Sequence, residues 1–355
     1  MRHSLWRKLK SKTRLGCLPI YGGQPKNIVG FSKKHGKGER MKITILDAAT
    51  LGDDIDFSLF RELGELRVIP MTAPCDIAEN CCGADVIILN KIKINRDTLP
   101  MPTTVKLVCV AATEVDNIDL AYCQEANIGV CNVKGYCSDS VAQLTLAMAL
   151  SLVCHLPEYH RFVATGAYGK TRFPNHLKPT YHELAGMTWG LVGYGNIAKR
   201  VAAVADALGC RVIVYSRSAS SEHENVSMDE LCRRADILSL HVPLCEETRH
   251  LLDRRRISLM KPSAIVINVA RGAVTDERAL ADAILENRLG GLGADVFSVE
   301  PMPFDHPFVS IFDRDNVCLT PHMSWGSFES RKRCMEEIFD NIRTFAQGGR
   351  RNRII

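Results

Sequence analysis

From Met41 onward the chain alternates short apolar, β-rich runs with longer stretches of helical periodicity. The first series is KITILDA from Lys42, LRVIP at 66–70, ADVIILN at 84–90, KLVCVA at 106–111 and IGVCN at 128–132. These runs are apolar at nearly every position, the pattern of parallel strands covered on both faces. An apolar helical stretch over 140–156 follows, and Gly166, Pro174 and Pro179 interrupt the chain beyond it. A second series then begins with TWGLVG at 188–193 and RVIVYS at 211–216. It continues with ILSLHV at 237–242, AIVINV at 264–269, LGADV at 292–296 and VCLTP at 317–321. The lengths between runs suit helices and their loops, which predicts an α/β protein with two parallel sheets. Near the end, Met335, Ile338, Phe339 and Ile342 form an i, i+3, i+4, i+7 stripe that needs a surface to cover, and the first domain is the expected one.

At 355 residues and 39.4 kDa the chain is long enough for two domains. A hydrophobic content of 46% with only 15 prolines excludes a disordered or collagenous chain. The net charge of +5 hints at nucleic acid until the charges are located. Residues 1–40 carry 11 Lys and Arg against Glu39 alone, net +10, whereas residues 41–355 carry 34 basic against 39 acidic side chains, net −5. A mildly acidic body has no general attraction for phosphate backbones, so no nucleic-acid partner is expected. The basic extension itself has three readings: an upstream start taken for the true one, a disordered cationic arm, or an organelle-targeting peptide.

The 14 cysteines form no paired CxxC array and no Cys/His cluster at zinc spacing, so no metal site is expected. Cys109, Cys154, Cys210 and Cys318 lie in apolar runs, where a thiol acts as a small hydrophobe, and this usage fits a reduced, cytoplasmic protein. Val141–Leu156 spans 16 residues and includes Gln143, too short for a membrane span and read as a buried helix.

One strand ends directly in Gly193-Tyr194-Gly195-Asn196-Ile197-Ala198 and runs into a periodic helix. In that context G-x-G-x-x-A reads as a dinucleotide turn: Gly193 for the bend, Gly195 for close approach of a pyrophosphate, Ala198 for tight helix packing. About 20 residues on, where an acid would hold the ribose of NAD, the sequence has Ser216 and Arg217 instead. Both could bond a 2′-phosphate, which favours NADP over NAD; the alternative is Arg217 stacking on adenine with NAD as cofactor.

Several ordered segments resemble the D-isomer-specific 2-hydroxyacid dehydrogenase family, and within it the glycerate dehydrogenase or hydroxypyruvate reductase branch. They are NK at 90–91, DNID at 116–119, NVKGYCSDSVAQ at 132–143, the glycine turn, HVPLCEET at 241–248, NVARG at 268–272, ADVFSVEP at 294–301 and TPHMSW at 320–325. The resemblance runs from about residue 41 to 350. It implies two Rossmann-like domains: a flavodoxin-like substrate domain from 41–139 plus 326–355, and an NAD(P)-binding domain from 140–325, with residues 1–40 outside both. It also implies a homodimer, with the helix over 140–156 contributing to the interface.

By the same resemblance Arg271 is the clamp for a substrate carboxylate, Glu300 the partner acid and His322 the acid/base. These types suit the chemistry, because a 2-oxoacid carries a carboxylate beside the carbonyl that a hydride reduces, and a histidine can protonate the developing alkoxide. Asp295 resembles the family's acid near the nicotinamide, and Val242, Pro243, Thr248, Val269 and Ala270 are expected to line the cofactor with Gly193, Gly195, Asn196, Ile197, Ser216 and Arg217. Thr113 and Glu114 lie in the loop that resembles the one meeting the substrate carboxylate. Glu114 stands where the family normally has Gly, and Tyr168 where this branch commonly has Trp; Trp325 is retained, and its expected place is beside the substrate or a partner subunit, with plain packing as the alternative. The expected reaction interconverts a 2-oxoacid and a D-2-hydroxyacid, with hydroxypyruvate or glyoxylate the first substrates. The rival readings are a dinucleotide-sensing scaffold or corepressor and a formate- or phosphite-type dehydrogenase.

Overall fold

The computed structural model describes residues 40–217 and 222–355. The basic N-terminal extension therefore lies outside the described residues, apart from Arg40. Strands β1 (Met41–Ile45), β2 (Gly64–Val68), β3 (Val86–Leu89), β4 (Leu107–Val110) and β5 (Gly129–Cys131) form a parallel sheet in the order β2-β1-β3-β4-β5. That is the flavodoxin-like order. A second parallel sheet contains β6 (Thr188–Val192), β7 (Arg211–Tyr215), β8 (Glu224–Asn225), β9 (Ile237–Leu240), β10 (Ile265–Asn268), β11 (Gly291–Ala294) and β12 (Val317–Leu319). Its order is β12-β11-β10-β9-β6-β7-β8, with the chain reversing direction across the sheet at β6.

The helices are α1 (Ile77–Asn80), α2 (Leu120–Glu125), α3 (Ser138–Val153), α4 (Leu156–Ala164), α5 (Asn196–Ala207), α6 (Met228–Arg234), α7 (Arg254–Ile257), α8 (Glu277–Leu285) and α9 (Phe328–Ala346). Because strand side chains alternate between faces, each sheet feeds two cores. In the second sheet Leu191, Val212, Val214, Ile237, Ile265 and Ile267 pack with α3 and α5. Val192, Ile213, Leu238, Leu240, Val266 and Leu292 pack with α6 and α8 on the other face. In the first sheet Ile87, Leu89, Val108, Val110 and Val130 meet α1 and α2, while Ile43, Ile45, Val86, Ile88 and Leu107 face α9. Both faces are covered, which explains why the strand runs read as continuously apolar.

The C-terminal stripe lands where its periodicity pointed. Cys334, Met335, Ile338 and Ile342 of α9 are buried in the first sheet's core, with Phe339 packed at its edge against Phe60. Ser327 caps the helix by accepting a hydrogen bond from the Ser330 N–H. Chain from beyond the second sheet thus returns to complete the first.

Two elements differ from expectation. The helix expected over 140–156 ends at Val153, and α4 begins at Leu156 after a bend of 60°. His155 at the break has a left-handed backbone, φ 50°, and Pro157 starts the new helix where a missing N–H costs nothing. No single helix among the described residues is long and apolar enough to cross a membrane. The two-residue β8 has no apolar signature because both residues are exposed.

Ile338 is fully buried between α9 and the first sheet. Ile338→Ala should lower unfolding stability by about 2–5 kcal/mol, read as a shifted midpoint in urea with an unchanged slope.

Candidate active site

Parallel strands point their C-terminal ends one way, so the loops that follow them collect on one side of each sheet, where ligands bind in open α/β folds. Here the loops of both sheets line a single cavity of about 610 Å³. From the first sheet come Asn90, Lys91 and Lys93 after β3, Ala112 to Glu114 with Asp116 and Asn117 after β4, and Tyr136 and Cys137 after β5. From the second come Ile197, His241 to Leu244, Val269 to Ala273, Phe297, Ser298, Glu300, His322, Ser324 and Trp325.

His322 and Glu300 meet in the wall of this cavity, with His322 Nδ1 2.5 Å from Glu300 Oε2. The loop that carries His322 is held by a buried carboxylate. Asp295, at the end of β11 and inaccessible to solvent, accepts from Thr320 Oγ1 at 2.5 Å and from the N–H groups of Met323 and Ser324, each at 2.9 Å. Its carbonyl accepts the His322 N–H at 2.8 Å, and Trp325 Nε1 donates to the His322 carbonyl at 2.9 Å. These bonds hold His322 at φ 51°, a backbone region a non-glycine residue adopts only when its surroundings dictate it.

Glu300 is positioned from a second direction. Its Oε1 accepts the Phe297 N–H at 3.0 Å. The adjoining Ser298 gives both its N–H and its hydroxyl to Glu277, a buried residue at the start of α8. Glu277 also lies 3.0 Å from His306 Nε2. Since His306 Nδ1 accepts from the Phe308 N–H, Nε2 is the nitrogen that donates. Burial, the largest single influence on the Glu300 carboxyl, pushes its pKa up. The hydrogen bonds from His322 and Phe297, with the charges of His322 and Lys91, outweigh it, and the group is held below the usual glutamate value.

Arg271 follows β10. Its Nη1 donates to the Ala270 carbonyl at 2.8 Å, and Asn268 fixes the turn by accepting the Ala270 N–H and donating to the Arg271 carbonyl. At the next position a Cβ would lie 2.0 Å from the Phe297 carbonyl carbon, so Gly272 is what lets the Arg271 loop touch the Glu300 loop.

The residues also fit a dinucleotide. Gly193 has φ +90°, and a Cβ there would lie 2.8 Å from the His241 carbonyl oxygen. At Gly195 a Cβ would meet nothing within 4 Å, so open space lies before the first turn of α5. Ala198 is fully buried behind it. His241, pushed down to about 3 by burial, is neutral and has its Nε2 2.9 Å from Ser239 Oγ. That hydroxyl also accepts from Trp189 Nε1. His241 Nδ1 has no partner among the described residues. A buried ring nitrogen left open beside a cavity suits a polar group of a ligand.

Of the residues expected from sequence, Thr113, Glu114, Ile197, Val242, Pro243, Val269, Ala270, Arg271, Glu300 and His322 line the cavity. Gly193, Gly195 and Asn196 form the turn leading to it, and Ser216 and Arg217 follow β7. Asp295 and Thr248 are not in the lining. The Asp295 carboxylate is taken up by the His322 loop, and Thr248 Oγ1 spends its bonds on the Pro243 carbonyl and the Cys245 N–H. Sequence reasoning missed Lys91 as a lining side chain, the unpartnered ring nitrogen of His241, and the supporting acids Asp47 and Glu277.

Residues 146–324 match the family pattern described as "D-isomer specific 2-hydroxyacid dehydrogenase, NAD binding domain". Over nearly its whole folded length the chain is 30% identical to the glycerate dehydrogenase of Methylorubrum extorquens, covering 88% of this chain and 98% of that one. The chain belongs to the D-isomer-specific 2-hydroxyacid dehydrogenase family. It is also 32% identical to the hydroxypyruvate reductase of Blautia hydrogenotrophica, over 87% of this chain and 98% of the relative. Among solved structures it resembles the D-lactate dehydrogenase of Aquifex aeolicus complexed with NAD and lactic acid, with TM-score 0.74 and 29% identity over 86% and 96% of the two chains. As a family member it is an NAD(P)-dependent oxidoreductase with a small organic acid as substrate.

Because the Glu300 carboxyl titrates lower in the folded chain than in the unfolded one, its ionised form stabilises the fold above the unfolded value of about 4.3. The stability difference between wild type and Glu300→Gln, measured by urea unfolding, should be full above that pH and shrink as pH falls through the lower folded value.

Proposed function

We propose that the protein reduces a short 2-oxoacid to the D-2-hydroxyacid in the cavity between its two sheets, with Arg271, Glu300 and His322 in direct service of the reaction. The observation that carries this reading is the 2.5 Å contact between His322 and Glu300 in a wall that also holds Arg271. Arg271 binds the substrate carboxylate as a fixed guanidinium, assisted by backbone at Ala112 to Glu114. Glu300 engages His322 Nδ1, so Nε2 is the nitrogen left to pass a proton to the carbonyl oxygen as it becomes an alkoxide. A bound nicotinamide dinucleotide supplies the hydride. The apolar residues Val242, Pro243, Val269 and Trp325 keep water from the reacting carbonyl.

Hydroxypyruvate and glyoxylate are the substrates we favour, on the likeness to the glycerate dehydrogenase and the hydroxypyruvate reductase. We assign 41–139 with 326–355 to the substrate domain and 140–325 to the cofactor domain, which agrees with α9 packing on the first sheet and α3 on the second. A homodimer is supported by the apolar side chains exposed around α4, among them Leu156, Val163, Phe173 and Leu177.

NADP is the favoured cofactor because Ser216 and Arg217 follow β7 with no acid between them and the strand. Glu247 lies close enough to feel the Arg217 charge, which tempers the attraction for a 2′-phosphate. Arg217→Ala should lower kcat/KM with NADPH about tenfold and leave the value with NADH within about twofold; equal losses with both cofactors would remove the assignment.

His322→Ala should lower kcat by about 10²–10⁴-fold while dinucleotide affinity, followed by fluorescence titration, is retained. Wild-type turnover of hydroxypyruvate or glyoxylate, followed by loss of NADH or NADPH absorbance, is the direct test. Unchanged turnover in the variant would refute the role given to His322.

A further inference from the structure

The first-sheet wall of the cavity presents charges for which the roles above give no use. After β3 the chain bends at Asn90 and Lys91, with Lys91 and Lys93 lining the cavity and Ile92 packed against the core between them. Neither lysine side chain takes part in a hydrogen bond or ion pair among the described residues. The segment is rigid because Asp47, wholly buried at the end of the β1 run, accepts the N–H of Asn90 at 2.9 Å and that of Lys91 at 2.6 Å. Asn117, from the loop after β4, donates to the carbonyls of Asn90 and Ile92 at 3.3 and 2.7 Å. The two loops are thereby fastened together, and the second brings Glu114 and Asp116 into the same wall.

Lys91 stands opposite the reacting groups. Its ammonium interacts electrostatically with Glu300 and Arg271 of the second sheet and with Asp116 and Asp47 of its own side. Burial among the cavity loops lowers its pKa more than any of these neighbours shifts it, while the side chain stays open to the cavity, where a ligand can reach it.

We propose that Lys91 is a specificity-determining residue that reads the substituent on substrate C3, donating a hydrogen bond to a hydroxyl oxygen there while Asp116, the lining acid of its own wall that interacts with it, accepts a hydrogen bond from that hydroxyl. The proposal rests on the function given above, in which Arg271 takes the carboxylate and His322 the carbonyl oxygen, leaving C3 toward the remaining wall. The mixed charge of the wall selects among substituents. A methyl group leaves both the ammonium and the carboxylate unpaired. A carboxylate or phosphate suits Lys91 and Lys93 but is repelled by Glu114 and Asp116. A hydroxyl both donates and accepts, and satisfies both sides.

The test compares hydroxypyruvate with pyruvate, which differ only in that hydroxyl, using wild type, Lys91→Met and Lys91→Arg. The wild type should favour hydroxypyruvate in kcat/KM. Lys91→Met should reduce the hydroxypyruvate-to-pyruvate ratio about tenfold, and Lys91→Arg, which keeps a charged donor, should restore part of it. Unchanged dinucleotide affinity in both variants checks the fold. A wild-type ratio near one, or a ratio that Lys91→Met leaves unchanged because both substrates suffer alike, overturns the proposal while the proposed function stands. Failure of the wild type to reduce any 2-oxoacid overturns both.

Discussion

The carboxylate of Asp295 is the constraint on which the site depends. Buried at the end of β11, it gathers a threonine hydroxyl and two backbone N–H groups from the loop after β12, and its carbonyl takes a third N–H. With these bonds the strained backbone of His322 is fixed and its ring is delivered to Glu300. Glu277 acts likewise on the loop of Glu300 through Ser298. Two buried acids, neither lining the cavity, thus set the separation of the pair that does. A buried carboxylate is costly unless each lone pair finds a donor, and satisfying those lone pairs is what orders the loops.

The same logic holds across the cleft. Asp47 anchors the segment of Lys91 as Asp295 anchors that of His322, and both acids follow parallel strands. The charge on Asp47 is opposed by burial and supported by the N–H groups of Lys91, Asn90 and Ile92, with burial the larger influence, so its pKa lies above the usual aspartate value. In both walls the loop backbone is therefore fixed before a ligand enters, which limits the ordering left to be done.

Much of this was legible in the sequence. Strands covered on both faces leave long apolar runs, so most strands and both sheets could be read directly, and the turn from Gly193 to Ala198 identified itself by its place between a strand and a helix. Arg271, Glu300 and His322 were singled out through short segments that resemble a family, and the fold brings all three into the cavity lining. The supporting acids were not, because Asp47 reaches Asn90 and Lys91 over more than 40 positions and Glu277 reaches Ser298 over 21, with no local pattern marking either. The break between α3 and α4 was missed because apolar residues continue through it while the backbone turns at His155. Asp295 was read as facing the cofactor, and only the fold reveals that its oxygens are already occupied.

The chain crosses between its two sheets twice, once into α3 and once out of the His322 loop into α9. These crossings are stitched together: Ser140 Oγ donates to the Ser324 carbonyl at 2.5 Å and accepts the Ser327 N–H at 3.4 Å. One side chain thereby ties both crossings to each other, so the backbone entering α3 and the backbone leaving the His322 loop are fastened at a shared point.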